Sequence, residues 1–313
     1  MRRTLSLALA SAALLSVTLA APALAIRFGS ADAGEHPYVG ELLFYVPDAP
    51  DPRFDDPGGW FTCSATLLDS THIVTAGHCT FGVGLNGAST THGGKDTTAA
   101  QGGVGGNDIW ISFAEEPDFS ILPPSSGFGR DENGDRYEAW RDALNASGEW
   151  HRGTATPHPL YDDNQFFAHD AGVVTLASPV AMDVYGQLPT VDWLDRYQST
   201  ARSTHRFETV GYGLERVQGK KQFGGDTRLK TEPMLINLKS NPADSYIVIS
   251  DNTATGGTCF GDSGGPTFDT TTSRVVVAVS SWAQNTNCTG KSGVYRLDQP
   301  DDLAFLASFG VTP

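Results

Sequence analysis

Gly261-Asp262-Ser263-Gly264-Gly265-Pro266 is a glycine-rich turn with a serine at its centre, and two other segments give it meaning. Thr75-Ala76-Gly77-His78-Cys79 follows the apolar pair Ile73-Val74, and Asp170 stands just ahead of the apolar run Ala171-Gly172-Val173-Val174. A serine hydroxyl is a poor nucleophile at neutral pH. It needs a base to take its proton, and an imidazole base needs a carboxylate to fix its tautomer and stabilise its cation. Glycines beside the serine leave backbone N–H groups open to a reacting carbonyl. Each segment alone is weak, because a single His or Asp is more often structural or solvated. Together they supply nucleophile, base, orienting carboxylate and oxyanion donors.

The chain around these segments reads as short strands. Runs rich in Val, Ile, Phe and Thr at 38–46, 64–68, 109–113, 171–176, 207–212, 246–249 and 275–281 are bounded by Gly, Pro, Asp or Asn, which predicts an all-β architecture. Helices are expected at 135–146 and 301–309. The stretch 82–106 is dominated by Gly, Thr and Ala and reads as an exposed loop, and 114–158 as a polar insertion. Apolar content of 39% with 18% charged residues argues against disorder.

Met1-Arg2-Arg3, an apolar run from Leu5 to Ala20 and the small-residue patterns Ala21-Pro22-Ala23 and Ala23-Leu24-Ala25 predict a secretory leader over residues 1–25, too short to serve as a membrane anchor. Its loss removes two arginines and no acid, taking the formal charge from −15 to −17. That balance excludes nucleic acid as a partner, since phosphate binding needs a basic face. Export exposes Cys63, Cys79, Cys259 and Cys288 to an oxidising environment, and four cysteines allow three pairings. Neither pair has Cys-x-x-Cys spacing, the remaining histidines lack metal-ligand spacing, and the aspartates near 48–56 and 131–135 fit no calcium loop. No metal or cofactor is expected.

Chain order discriminates among nucleophilic-serine folds. Gly261–Gly265 fits Gly-x-Ser-x-Gly, but α/β-hydrolases place their histidine after the serine, and no histidine follows Ser263. The subtilisin order needs a carboxylate upstream of His78 and a different serine context. The order His78, Asp170, Ser263 resembles the chymotrypsin/trypsin-like serine proteases. Thr75–Cys79 matches that family's histidine motif, Gly261–Pro266 its serine motif and Asp170–Val174, more loosely, its aspartate segment. Ser280-Ser281-Trp282 and Gly293-Val294-Tyr295 resemble the two strands that wall the specificity pocket.

The resemblance implies two six-stranded antiparallel β-barrels with a C-terminal α-helix, the first over about 26–185 with long loops at 82–158 and the second over about 186–313. It implies a secreted, monomeric endopeptidase acting on polypeptides, open to protein inhibitors. His78 would be base and then acid, Asp170 its orienter and Ser263 the nucleophile, with the N–H groups of Gly261 and Ser263 as the oxyanion hole. It pairs Cys63 with Cys79 and Cys259 with Cys288. Substrate would meet Gly257, Phe260, Ser281, Trp282, Ala283 and Gly293, and residues 281–283 would pair with it as an added strand. Gly257, six residues before Ser263, predicts a pocket base without a carboxylate, hence a preference for apolar over basic residues. Small residues at Ala283 and Gly293 would leave that pocket open. Leader cleavage after Ala25 would free Ile26 to pair with Asp262. A catalytically silent binding module of this fold and an esterase are the alternatives; the intact triad disfavours the first, and the strand-pairing segment the second.

Overall fold

The computed structural model describes residues 25–85, 106–165, 168–198, 204–240, 246–272 and 274–313. The expected leader, apart from Ala25, and residues 86–105 of the glycine-rich stretch lie outside them. A short helix, α1 (Ala25–Phe28), leads into strand β1 (Ser30–Ala31). Six strands follow: β2 (Val39–Val46), β3 (Gly59–Leu67), β4 (His72–Thr75), β5 (Ile109–Ser112), β6 (His151–Pro157) and β7 (Gly172–Leu176). They close into an antiparallel barrel in the order β2-β3-β4-β7-β6-β5. β6 alternates as a half-buried strand should, sending Gly153, Ala155 and Pro157 inward. β2 is buried along almost its whole length because its outer face is covered as well.

That cover comes from the insertion. Helix α2 (Asn133–Ala146) is pinned where the Asn133 amide donates to the carbonyls of Asp56, Pro57 and Gly58. Arg136 is wholly buried, donates to Asp51 and Gly58, and lies 4.2 Å over the Phe54 ring. Tyr137 packs against Tyr45 at 4.4 Å, and Trp150 joins Leu43, Trp110 and Leu144 in a separate apolar cluster. The described part of 114–158 is thus a packed cap on the first barrel rather than only solvated loop.

The second lobe holds β8 (Phe207–Gly211), the hairpin β9 (Arg216–Gln218) and β10 (Lys221–Phe223), β11 (Leu229–Thr231), β12 (Leu235–Ser240), β13 (Tyr246–Asp251), β14 (Pro266–Asp269), β15 (Val276–Ala283) and β16 (Gly290–Arg296). Seven of these and β1 form an antiparallel sheet in the order β1-β11-β8-β14-β15-β16-β13-β12. It curves as a half-barrel and does not close as the first lobe does. Its two edge strands are β1, which pairs with β11 with Ser30 opposite Lys230, and β12. Helix α3 (Pro300–Ala307) ends the fold with proline in its first turn and Asp301 and Asp302 at its positive end. One cluster of buried residues runs through both lobes, from Leu42 and Val74 to Val279 and Leu306. No described helix is long and apolar enough to cross a membrane.

Candidate active site

His78 sits in the 3-10 turn Gly77–Cys79 that ends β4, and the Cys63–Cys79 disulfide ties this turn to β3. Residue 77 has to be small, since a Cβ there would come within 2.8 Å of the Tyr161 ring. Asp170, one residue before Ala171 and β7, is fully buried and meets the turn directly. Its carboxylate accepts from the His78 amide at 2.9 Å, lies 3.0 Å from His78 Nδ1, and accepts from Ser281 Oγ at 2.6 Å. With Nδ1 held by the carboxylate, Nε2 is the nitrogen left for proton transfer. Burial pulls the His78 pKa down, but the charge and hydrogen bond of Asp170, with Asp163 beyond it, outweigh that and hold it above the ordinary value.

Ser263 lies between the lobes. Its carbonyl accepts from Ser64 N of the first barrel at 2.7 Å, while Gly264 N donates to Ser280 O of the second at 2.8 Å. Gly264 has φ +76°, and a Cβ there would fall 1.9 Å from Thr75 Oγ1, so only glycine lets the two lobes approach this closely. Gly261 has φ +97° and its carbonyl accepts from Ser64 Oγ. Among the described residues the amides of Gly261 and Ser263 donate to no protein acceptor. His78, Gly261 and Ser263 line one cavity of about 490 Å³, whose other walls include Phe44, Phe61, Phe81 and Phe260. No hydrogen bond joins His78 to Ser263; such bonds are often loose without substrate.

A second cavity of about 270 Å³ opens on the other side of Ser263, lined by Thr258, Cys259, Phe260 and residues 280–283. The Cys259–Cys288 disulfide braces it. β14 pairs with β15 only as far as Val279, so residues 281–283 keep one edge without a strand partner. Two packing features around this pocket were not legible in the sequence. At Gly293 the Trp282 indole fills the place of the missing side chain, 2.0 Å from an ideal Cβ. At Gly257 the corresponding space is taken by the side chain of Asp251, from β13. A pocket wall is a tertiary object, and the residue type at position 257 or 293 does not say what packs into the space a glycine leaves. Sequence reasoning also missed the Ser281 side chain, which was expected to act through its backbone alone.

Asp262 is buried with its carboxylate accepting from Gly213 N and Cys259 N, both at 2.8 Å. Burial pushes its pKa up to about 7, the two N–H groups oppose this, and the charge of Asp251 adds to it. Glu41, opposite Ser64 in the β2–β3 register, is a second buried acid, raised well above its ordinary range by burial and the charges of Asp226 and Asp262. Among the described residues no Lys or Arg forms an ion pair with Asp262 or Glu41. Here Ala25 still precedes Ile26, so the Ile26 nitrogen is a peptide nitrogen, and no ion pair joins it to Asp262. Ile26 is buried against Leu229; Leu229 pairs with Gly211, and a Cβ on Gly211 would touch Asp262 Oδ1 at 2.4 Å.

Comparison with known proteins fits this arrangement. No curated protein matches the chain. Among solved structures, a collagenase aligns at 14% identity with a TM-score of 0.57, covering 93% of this chain and 100% of its own. A scabies mite inactivated protease paralogue aligns at 13% and 0.56, covering 92% and 100%, and human heparin binding protein at 13% and 0.55, covering 92% and 99%. At such identities these likenesses speak for the fold alone. The sequence model described as Trypsin matches residues 139–297, just over half the chain, across Asp170, Ser263 and both pocket strands. With that match and the two-lobed β fold in agreement, the chain belongs to the trypsin family.

Proposed function

We propose that this protein is a secreted serine endopeptidase that cleaves peptide bonds through an acyl-enzyme on Ser263. The observation that carries the reading is the Asp170 carboxylate, which binds both the His78 amide and Nδ1 and so aims Nε2 into the cavity that Ser263 lines. Ser263 Oγ bonds to the scissile carbonyl carbon while its proton passes to His78 Nε2. Asp170 stabilises the imidazolium, and the N–H groups of Gly261 and Ser263 take the oxyanion. The C–N bond then breaks, with His78 returning its proton to the leaving amine. A water repeats the sequence on the ester, its proton going to His78 and then to Ser263. Substrate backbone pairs with the free edge of residues 281–283. Removal of the leader after Ala25 frees an Ile26 ammonium to neutralise Asp262, which orders the turn that carries Gly261 and Ser263.

Two solved relatives by fold are described as an inactivated protease paralogue and as heparin binding protein, so a silent binding module is the reading to test against. The secreted mature protein and its Ser263→Ala variant are incubated with a peptide mixture and, separately, with an organophosphonate. Peptide cleavage and a covalent adduct confined to the Ser263 form support the proposal. Absence of both in the unaltered protein, or cleavage that survives in Ser263→Ala, overturns it.

A further inference from the structure

Ser64, in β3 of the first barrel, is fully buried and uses each of its polar groups to join the two lobes or the two halves of the site. Its N–H donates to Ser263 O at 2.7 Å, and its Oγ donates to Gly261 O at 2.9 Å. The same Oγ accepts from Tyr212 N at 3.0 Å. Its carbonyl accepts from Thr75 Oγ1 at 2.9 Å, in the segment that leads into His78. The hydroxyl meets the softest point of the reactive turn. Gly261, at φ +97°, has no side chain to limit rotation of the peptides on either side of it. Backbone donors hold the neighbouring carbonyls, Leu214 N on Phe260 O at 2.8 Å and Gly265 N on Asp262 O at 2.9 Å. Between them, the Gly261 carbonyl is held by the Ser64 side chain, from the other lobe.

Resting on the hydrolytic reading of Ser263, we propose that Ser64 is a positioning residue for that reaction: by fixing the Gly261 carbonyl, its hydroxyl keeps the N–H groups of Gly261 and Ser263 aimed at the oxyanion that forms on the substrate. Such donors accelerate acyl transfer when their direction is set before the charge develops. Without the hydroxyl, the peptide between Gly261 and Asp262 is free to turn about Gly261, and the two donors that flank it lose their fixed separation and direction. Tyr212 N loses its acceptor at the same time, next to Gly213, whose N–H donates to Asp262 in the same turn. Ser64 lines neither cavity beside Ser263, so it acts on the geometry of the donors and not by touching substrate.

The test compares the mature chain beginning at Ile26 with its Ser64→Ala variant, on the peptide that the unaltered chain cleaves fastest and with rates counted per folded molecule. The proposal expects kcat to fall about tenfold or more while KM changes less than about twofold, since a buried carbonyl and a buried N–H both lose their partner. A trifluoromethyl ketone of the same peptide sequence should weaken by a similar factor. Its carbonyl carbon bonds to Ser263 Oγ, the Ser263 proton passes to His78, and its oxygen becomes the oxyanion. The matching trifluoromethyl alcohol forms no such bond and should bind both proteins alike. A change confined to KM, or equal weakening of ketone and alcohol, overturns the proposal. So does loss of folding in both Ser64→Ala and Ser64→Gly, which makes the hydroxyl a contact of stability alone. Should the unaltered chain cleave no peptide and add no ketone, the hydrolytic reading fails, and hydrogen exchange still decides the clamp. The amides of Asp262, Gly264 and Gly265, each bonded within the folded turn or to Ser280, should then exchange about tenfold faster in Ser64→Ala, and unchanged exchange overturns it.

Discussion

The proposed pairing of a freed Ile26 ammonium with the Asp262 carboxyl predicts that stability depends on whether residues still precede Ile26. With residues still ahead of Ile26, burial holds the carboxyl's pKa at about 7 against an ordinary 3.8. The folded state then keeps a proton across roughly three pH decades in which the unfolded chain has released it, so stability falls as pH rises through that window. At about 1.36 kcal/mol per decade the loss approaches 4 kcal/mol between pH 4 and pH 7. A free Ile26 ammonium beside the carboxylate reverses the preference, because the charged form becomes the paired one. Two Ser263→Ala chains, one beginning at Leu24 and one at Ile26, are unfolded in urea at pH 4.5 and pH 7.5. The longer chain should lose several kcal/mol more than the shorter over this interval, and Asp262→Asn should abolish the difference. Equal pH dependence in the two chains would refute the reasoning, since apart from the α-amino group itself every other titrating group is common to both.

Three further outcomes follow from the same contacts. Ser281→Ala removes a 2.6 Å donor from Asp170 and should lower kcat by about tenfold or more with KM little changed, as a bond to a charged group is worth about 1.5–3 kcal/mol; a change confined to KM would place Ser281 on the substrate instead. Gly264→Ala, at φ +76° and 1.9 Å from Thr75 Oγ1, should cost well over about 1 kcal/mol in thermal or urea unfolding and move Ser263 out of line, so a fully active, equally stable variant would contradict the close approach of the lobes. Replacing both Cys63 and Cys79 by serine opens a link 16 residues apart in sequence, and urea unfolding should show a loss of about 3 kcal/mol together with weakened His78 function.

Individual elements show how much of this was legible beforehand. The strands at 38–46, 109–113 and 171–176 appear almost where their Val, Ile and Phe patterns put them, because a strand's two faces are written into consecutive residues. Helix α3 begins one residue earlier than expected, at a proline suited to a first turn. The packing of α2 was not legible. Its polar sequence conceals that Arg136 and Asn133 are buried by partners at Asp51 and at residues 56–58, some 75 to 85 residues away. The open second sheet was equally hidden, since its edge is formed by a two-residue strand from residues 30–31 that no periodicity marks.

By itself the sequence determined which chemistry to propose. Serine, histidine and aspartate in that chain order, with glycines at 261, 264 and 265, are the residue types a nucleophile, its base and its oxyanion donors require, because reactivity depends on residue type and local backbone freedom. Only the tertiary structure decided what the cleft is made of. It brought Ser281 to Asp170 over 111 residues, laid Trp282 over Gly293, and set Asp251 in the space that Gly257 leaves. A glycine announces that room exists, but which neighbour fills the room depends on strand register across the sheet. What surrounds the cleft therefore follows from packing and not from the residue type at position 257 alone.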